Sequence, residues 1–205
     1  MPDILTAITG QQTNEDFYGE IIRENLNHRI LVFNDQVDSD VMENYILRII
    51  QWNREDKDLP IDVRQPIKIY IDCPGGDTMT GLNFVDVICQ SKTPIIGIAF
   101  SMAASMGYHI FIACNERIAF KDTVLLQHDG ELVIQNSSSK AKDTMQFFNS
   151  MDNRLKQHVL SHTNMTDEFY DKIYDQEWWI FADDAVEYGI VDKIIGKDVD
   201  IDYIY

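Results

Sequence analysis

The chain has 205 residues, of which 45% are apolar, and this length suits one domain with a sizeable core. Its 17 basic and 34 acidic residues give a net charge of −17, which argues against nucleic acid and anionic membrane surfaces as partners. No window reaches the apolar length that spans a bilayer, and we expect no secretory signal. Three cysteines without metal-ligand spacing indicate free, buried thiols, and we expect a cytoplasmic protein.

The first third of the chain predicts two helices around one strand. Residues 1–14 are polar and lack periodicity, which indicates a flexible N-terminal segment. Apolar residues at helical spacing predict one helix from about residue 15 to 26 and another from 41 to 50. The apolar run at 29–33 predicts a strand between them. Residues 53–64 are then expected to form a charged surface loop.

Two strand-to-helix junctions follow. A β-branched strand over residues 67–71 leads into Gly75-Gly76, a turn that can expose bare N–H groups before a helix over about 79–88. A second buried strand over 95–100 leads into Ser101-Met102-Ala103-Ala104-Ser105-Met106-Gly107. A serine among small residues at such a junction is typical of a nucleophile elbow, and the glycine turn could supply an oxyanion donor. Each motif alone is weak, because similar turns are common in proteins that catalyse nothing.

The second half predicts more alternation of strands and helices. A helix continues from Ser105 to about residue 112, and short strands are expected over 117–120 and 123–126. His128-Asp129-Gly130 closes the second of these strands as a turn. Residues 131–134 alternate weakly, a long helix follows Asn136, and another helix spans about 166–174. This order argues for a single α/β domain with a parallel, layered sheet.

Peptide hydrolysis by a serine needs an activated hydroxyl, a base and preorganised oxyanion donors. Ser105 is the candidate nucleophile and Ser101 is its close rival; the residues alone do not separate them. The candidate bases are the five histidines, His28, His109, His128, His158 and His162. His128 terminates a strand, where a side chain can reach a neighbouring junction, whereas His109 lies one helical turn beyond Ser105. A single histidine is more often structural than catalytic.

Taken together, these motifs resemble a known family. Asp72-Cys73-Pro74-Gly75-Gly76 followed by Ala103-Ala104-Ser105-Met106-Gly107 is similar to the motifs of the Clp protease proteolytic subunits, the ClpP serine peptidases. Ala185-Val186-Glu187-Tyr188-Gly189-Ile190-Val191-Asp192 resembles a C-terminal signature of the same family. Asp16-Phe17-Tyr18 and residues 29–33 extend the resemblance to about residues 15–195.

The resemblance implies a fold and an assembly. The fold is α/β, with the repeated β-β-α units of the ClpP/crotonase fold over 15–195 and a projecting strand-helix handle at about 130–163. Residues 1–14 would form an axial loop and 196–205 a C-terminal tail. The implied assembly is two stacked heptameric rings, a tetradecamer, fed with unfolded polypeptide by an AAA+ ATP-dependent unfoldase. The handle departs from the family, whose glycine- and glutamine-rich segment is replaced here by Glu131 to Lys140.

The resemblance also assigns roles in a serine endopeptidase. Ser105 becomes the nucleophile, and the backbone N–H groups of Gly76 and Met106 become the oxyanion donors. His128 falls on the position of the base once the connection at 115–117 is taken as about two residues shorter. Its neighbours depart from the family, because Gln127-His128-Asp129-Gly130 replaces an apolar residue followed by His-Gln-Pro.

The third triad member has two candidates. Counting back from Ala185 places it at Glu177, a residue type that orients the histidine in other Ser-His enzymes. Asp175 is the alternative if the alignment slips by two residues. No cofactor and no metal are expected, since no phosphate loop and no His/Cys/Asp/Glu cluster with ligand spacing is visible.

Other functions stay open at this point. The departures around His128 and Glu177 suit a non-catalytic ring subunit that partners an active one. A specialised peptidase with a restricted substrate, for example a capsid-maturation peptidase, is a second alternative. A crotonase-fold enzyme acting on acyl-CoA is a third, since it would share the oxyanion turn without needing a serine elbow.

Overall fold

The computed structural model describes residues 14–135 and 137–205. The strands are β1 (Ile30–Phe33), β2 (Ile67–Cys73), β3 (Ile95–Ala104), β4 (Glu116–Phe120), β5 (Val124–Gln127), β6 (Trp178–Phe181) and β7 (Lys193–Ile195). The helices are α1 (Asn14–Asn27), α2 (Leu47–Glu55), α3 (Thr78–Gln90), α4 (Met106–Ile112), α5 (Ser138–His162), α6 (Asp167–Ile173) and α7 (Ala182–Ala185). A π-helical turn, Met42–Ile46, precedes α2, and 3-10 turns lie at Ile61–Val63 and Ile201–Ile204.

The sheet is parallel except at one edge. Its order is β1-β2-β3-β4-β7, and β5 pairs with β3 while β6 pairs antiparallel with β5. β3 is long enough to hold two neighbours in succession on one side: Ile98 pairs with Ile118 of β4, and Ala103 pairs with Leu125 of β5. On its other side, Ala103 pairs with Cys73 at the end of β2. The ends of β2, β3 and β5 therefore lie side by side, and the segments that leave them share one edge of the sheet.

Side-chain alternation divides the core into two layers. Ile67, Ile69 and Ile71 of β2 are fully buried in the main cluster, which also contains apolar side chains of α2, α3, α4 and α6. The intervening Tyr70 instead packs with a smaller cluster around Ile98, on the opposite face of the sheet. This separation follows from the two-residue period of a strand, which sends successive side chains to opposite faces.

A buried ion pair ties the beginning of β1 to the end of α2. The Arg29 guanidinium donates to the Asp56 carboxylate at 2.6 and 2.8 Å, and the Thr93 hydroxyl donates to the same carboxylate at 2.9 Å. Asp56 is only 3% exposed. The hydrogen bond from Arg29 lowers the pKa of Asp56, with a smaller contribution from Thr93. The carboxylate is therefore ionised and paired at neutral pH.

The predicted elements form with some differences. The helix in α1 is present, but its apolar residues do not all face the core: Phe17 is 59% exposed. The strand expected over 131–134 does not form, because no described segment lies beside it to supply ladder hydrogen bonds, and Val133 is 93% exposed. The segment predicted to form the handle is therefore irregular over 131–135 and continues as α5. The predicted flexible segment at 1–14 falls almost entirely outside the described residues. Among the described helices, none is long and apolar enough to cross a membrane.

Candidate active site

Ser105 occupies a strained turn between β3 and α4. Its φ of 53° and ψ of −123° lie in a region that non-glycine residues rarely adopt. The turn is fixed from the side, because the Ser105 N–H donates to the Leu126 carbonyl of β5 at 3.0 Å. Small neighbours permit it: Ala103 and Ala104 end β3 in the core, and Gly107 lies so close to Cys73 that a Cβ there would be 2.7 Å from the Cys73 carbonyl oxygen. The predicted nucleophile elbow is thus present as a backbone conformation.

Ser101, the rival serine, has a different setting. It lies within β3, four residues before the elbow, and its hydroxyl hydrogen-bonds the carboxylate of Asp72. Ser105 is half-buried at the turn itself, whereas Ser101 is an exposed strand residue. The local geometry therefore favours Ser105 as the nucleophile.

The Gly75-Gly76 turn packs directly against the elbow. Both glycines have positive φ, 111° and 140°, and a Cβ on Gly75 would lie 2.6 Å from the Ser105 Cβ. Val37 holds the turn in place: its N–H donates to the Gly75 carbonyl at 2.7 Å, and its carbonyl accepts from the Asp77 N–H at 2.8 Å. Within the part of the chain that the structure describes, the N–H groups of Gly76 and Met106 donate to no other group. Both remain available to an oxyanion.

Asp77 fixes the junction between the glycine turn and α3. Its carboxylate accepts from the Thr80 N–H at 2.8 Å and so caps the helix. The same backbone hydrogen bond lowers the pKa of Asp77. Because the cap is ionised, it also interacts favourably with the helix dipole and stabilises the turn.

His128 leaves β5 beside the elbow. Ala104 pairs with Leu126 in the β3–β5 ladder, so Ser105 and His128 follow neighbouring strands at the same edge. The ring is half-buried and borders a small cavity that His109, Gln127 and Tyr170 also line. Among the described residues, His128 makes no hydrogen bond to Ser105 or to Glu177. The structure therefore places Ser105 and His128 after neighbouring strands, with no hydrogen bond between their side chains.

The two candidate acids differ in their register. β6 runs antiparallel to β5 and their ladder ends where Gln127 pairs with Trp178, so His128 and Glu177 are the next residues beyond that last pair. Directly opposite residues in an antiparallel pair have Cβ atoms about 5 Å apart, whereas Asp175 is two residues further away. Both acids are exposed. The Glu177 carboxylate accepts a hydrogen bond from the Trp179 indole N–H at 3.2 Å.

The sequence does not reveal the surroundings of the other histidines and of the cysteines. His109 is buried beneath the elbow, and burial lowers its pKa to about 3. Cys73 is buried next to the site, and burial raises its pKa to about 11, so its thiol is protonated at neutral pH. Cys89 is exposed, which corrects the expectation that the three thiols are buried. It lies beside His158 and His162, and the only sequence signal for this cluster was their four-residue spacing on one helix.

Comparison with known proteins settles the relationship. A family model described as Clp protease matches residues 11–198. The chain belongs to the Clp protease family. It is similar to ATP-dependent Clp protease proteolytic subunit 2 of Rhodococcus jostii, with 24% identity over 194 residues, 94% of each chain. The Corynebacterium glutamicum subunit 2 is 25% identical over 197 residues, 95% of this chain and 94% of the relative. That of Thermobifida fusca is 23% identical over 192 residues, 91% and 90%.

Membership in the Clp protease family confirms the predicted resemblance and the α/β fold class. The parallel sheet with helices packed on it agrees with that fold. The chain is therefore a ClpP-like protease, a hydrolase of peptide bonds. The comparisons do not favour the non-catalytic subunit, the restricted-substrate peptidase or the acyl-CoA enzyme, since the relatives above are all named proteolytic subunits.

Proposed function

We propose that the chain is a serine endopeptidase that cleaves unfolded polypeptides inside an oligomeric chamber. One observation carries this proposal: Ser105 is held in a strained turn, packed against a glycine turn that presents a free backbone N–H. Strain of this kind costs about 1–3 kcal/mol and persists mainly where the surrounding structure requires it. A purely structural junction would not need a left-handed serine in that place.

The proposed reaction uses four groups of the chain. The Ser105 hydroxyl attacks the substrate carbonyl while its proton passes to His128, and the N–H groups of Gly76 and Met106 stabilise the oxyanion. His128 then gives the proton to the leaving amine, and water hydrolyses the acyl-enzyme by the same steps. Glu177 keeps the imidazole in one tautomer. Catalytic hydrogen bonds are commonly long or absent before substrate binds, so rotation of the His128 side chain completes the relay.

The proposed assembly is a tetradecamer of two stacked heptameric rings in the cytoplasm, served by an AAA+ ATP-dependent unfoldase. Apolar side chains on the described helices support contacts between copies, because Phe17 and Ile21 of α1 and Met145 and Phe147 of α5 are exposed. The unpaired segment at 131–135 is a further surface that a second copy can complete. We assign residues 15–195 to the peptidase domain, about 130–163 to the handle and 196–205 to the tail.

The serine mechanism is tested with Ser105→Ala, and Ser101→Ala serves as the matched control. Cleavage of a short fluorogenic peptide should fall by several orders of magnitude in the first variant and stay near the wild-type rate in the second. A fluorophosphonate should label Ser105 alone, located by mass spectrometry of the digested protein. A measurement of the native mass of each variant tests whether its assembly is unchanged. Full cleavage by pure, assembled Ser105→Ala would remove this serine from the mechanism.

A further inference from the structure

A second cluster of reactive side chains lies at the far end of α5, outside the proposed active site. Cys89 stands in the last turn of α3, and His158 and His162 stand one turn apart near the end of α5. One ligand atom from each residue lies within 4.8 Å of the other two. The two segments are about seventy positions apart in the sequence, and the cluster forms where the last turn of α3 meets the end of α5. Cys89 is exposed, and the cluster opens onto a surface cleft that Cys89 and His162 line.

The distances suit a tetrahedral metal ion. The Cys89 Sγ lies 3.6 Å from the His162 Nε2. Zinc binds thiolate sulfur at about 2.3 Å and imidazole nitrogen at about 2.0–2.1 Å, and a tetrahedral angle between these bonds sets the two ligand atoms about 3.6 Å apart. An ion between Cys89 and His162 therefore needs little movement of either side chain.

Backbone carbonyls engage one ring nitrogen of each imidazole and leave the other nitrogen free for a metal. The Nδ1 of His162 lies 2.8 Å from the His158 carbonyl oxygen, so Nδ1–H donates and the Nε2 lone pair faces Cys89. The Nε2 of His158 lies 2.9 Å from the His109 carbonyl oxygen, so Nε2–H donates and Nδ1 keeps its lone pair. Metal-binding histidines usually donate their second N–H to a carbonyl or carboxylate in this way.

The end of α5 is also fixed before any ion binds. The Arg117 guanidinium donates to the His162 carbonyl at 2.5 Å and to both oxygens of Asp192 at 2.7 and 2.9 Å. This contact satisfies a carbonyl in the last turn of the helix and anchors it to the sheet. The ligands therefore lose little conformational entropy when a metal ion binds, because their backbone positions are already set.

We propose that Cys89, His158 and His162 form a zinc site, with Cys89 Sγ, His158 Nδ1 and His162 Nε2 as ligands and water as the fourth. Thiolate sulfur and imidazole nitrogen are both ligands that zinc takes in proteins, and three protein ligands with a water in the fourth position is the arrangement of its open sites. The exposed side of the cluster leaves room for the water. The site joins the last turn of α3, the helix that follows the glycine turn, to the end of α5, so bound zinc should hold these two helix ends together. This proposal does not depend on the serine mechanism.

The test measures metal binding by the full chain, purified with a chelator and then reduced. Wild type, Cys89→Ser and His162→Gln are titrated with zinc in competition with a chromophoric chelator. His28→Gln is the matched control, since His28 is exposed and lies before β1. Cobalt(II) is added in parallel, because a bound thiolate gives a charge-transfer band in the near ultraviolet and tetrahedral coordination gives intense visible bands.

We expect one zinc ion per chain in wild type and in His28→Gln. Cys89→Ser and His162→Gln should each weaken binding by at least about tenfold, and Cys89→Ser should remove the charge-transfer band. Zinc should raise the melting temperature of wild type but not of Cys89→Ser. The proposal is overturned if folded wild type binds no zinc, if all four proteins bind it equally, or if the cobalt spectrum shows no thiolate. None of these readouts requires peptidase activity, so the result does not depend on whether Ser105 is the nucleophile.

Discussion

The substitution Gly76→Ala tests whether the glycine turn binds the oxyanion or is an ordinary loop. The added Cβ would lie 2.3 Å from the Val37 carbonyl oxygen and 2.7 Å from the Val37 nitrogen, both of them backbone atoms that cannot rotate away. An ordinary C···O contact is about 3.3–3.6 Å, so the two segments must separate by about 1 Å. The φ of 140° adds strain that alanine cannot relieve. The substitution therefore displaces the N–H proposed to bind the oxyanion.

The expected loss of activity follows from that displacement. Removal of one oxyanion donor costs about 10²–10³ in rate, and a 1 Å misplacement of catalytic groups costs a similar factor. We therefore expect kcat/KM for a fluorogenic peptide to fall by about 10²–10³. Strain of about 1–3 kcal/mol and weakened hydrogen bonds between Val37 and its partners should lower stability by about 3 kcal/mol, which corresponds to a melting temperature about 10 °C lower.

The control is Gly196→Ala, which adds backbone strain without a steric clash. Gly196 has a φ of 84°, and an added Cβ meets nothing within 4 Å. This variant should lose about 1–2 kcal/mol of stability and keep its activity. Activity is measured well below both melting temperatures, and circular dichroism confirms that each variant is folded. A folded Gly76→Ala with wild-type kcat/KM would refute the role given to this turn.

Two further predictions concern acidic residues. Glu177→Gln should lower kcat by more than about tenfold, since an orienting carboxylate contributes up to about 10⁴ in rate. Asp175→Asn should leave kcat nearly unchanged. Equal losses of the two variants in peptidase assays would contradict the β5–β6 register argument. Asp56→Asn should cost about 3 kcal/mol at pH 7 in urea unfolding, because it leaves Arg29 without its buried partner. The lowered pKa of Asp56 means that its contribution is complete above pH about 4 and is lost as the pH falls below that value. Stability should therefore decline less steeply in acid for Asp56→Asn than for wild type, and identical acid profiles would contradict this account.

The strand-to-helix junctions could be predicted because their causes are local. The run from Ile67 to Gly76 contains its own strand, turn and helix signals within a few residues, and β2, the glycine turn and α3 form where these signals place them. The tight turn at Ser105 could be predicted in the same way, since a small-residue junction after a buried strand requires one, whereas the choice of Ser105 over Ser101 came from the family resemblance. In both cases the sequence neighbours that set the conformation are also the spatial neighbours.

The features that the sequence did not predict depend on contacts between distant parts of the chain. Residues 131–134 alternate weakly between polar and apolar, but a strand forms only beside a partner, and a pattern does not reveal whether one exists. Cys89 joins His158 and His162 only because the ends of two helices meet, so the cluster has no contiguous signature. The orientation of the His128 ring depends likewise on side chains from several elements. Each of these features depends on long-range packing that a linear pattern does not contain.

The arrangement at the site indicates why this chain tolerates departures around its base. The His128 backbone is positioned by β5, which pairs with β3 on one side and β6 on the other, and neither pairing depends on the residues after the histidine. Ser105 is held by the same strand through the Leu126 carbonyl. A single strand therefore sets the relative backbone positions of the proposed nucleophile, base and acid. The substitutions at Asp129 and Gly130 alter the segment leading to α5 while that framework stays intact, so the family's chemistry can persist beside a divergent handle.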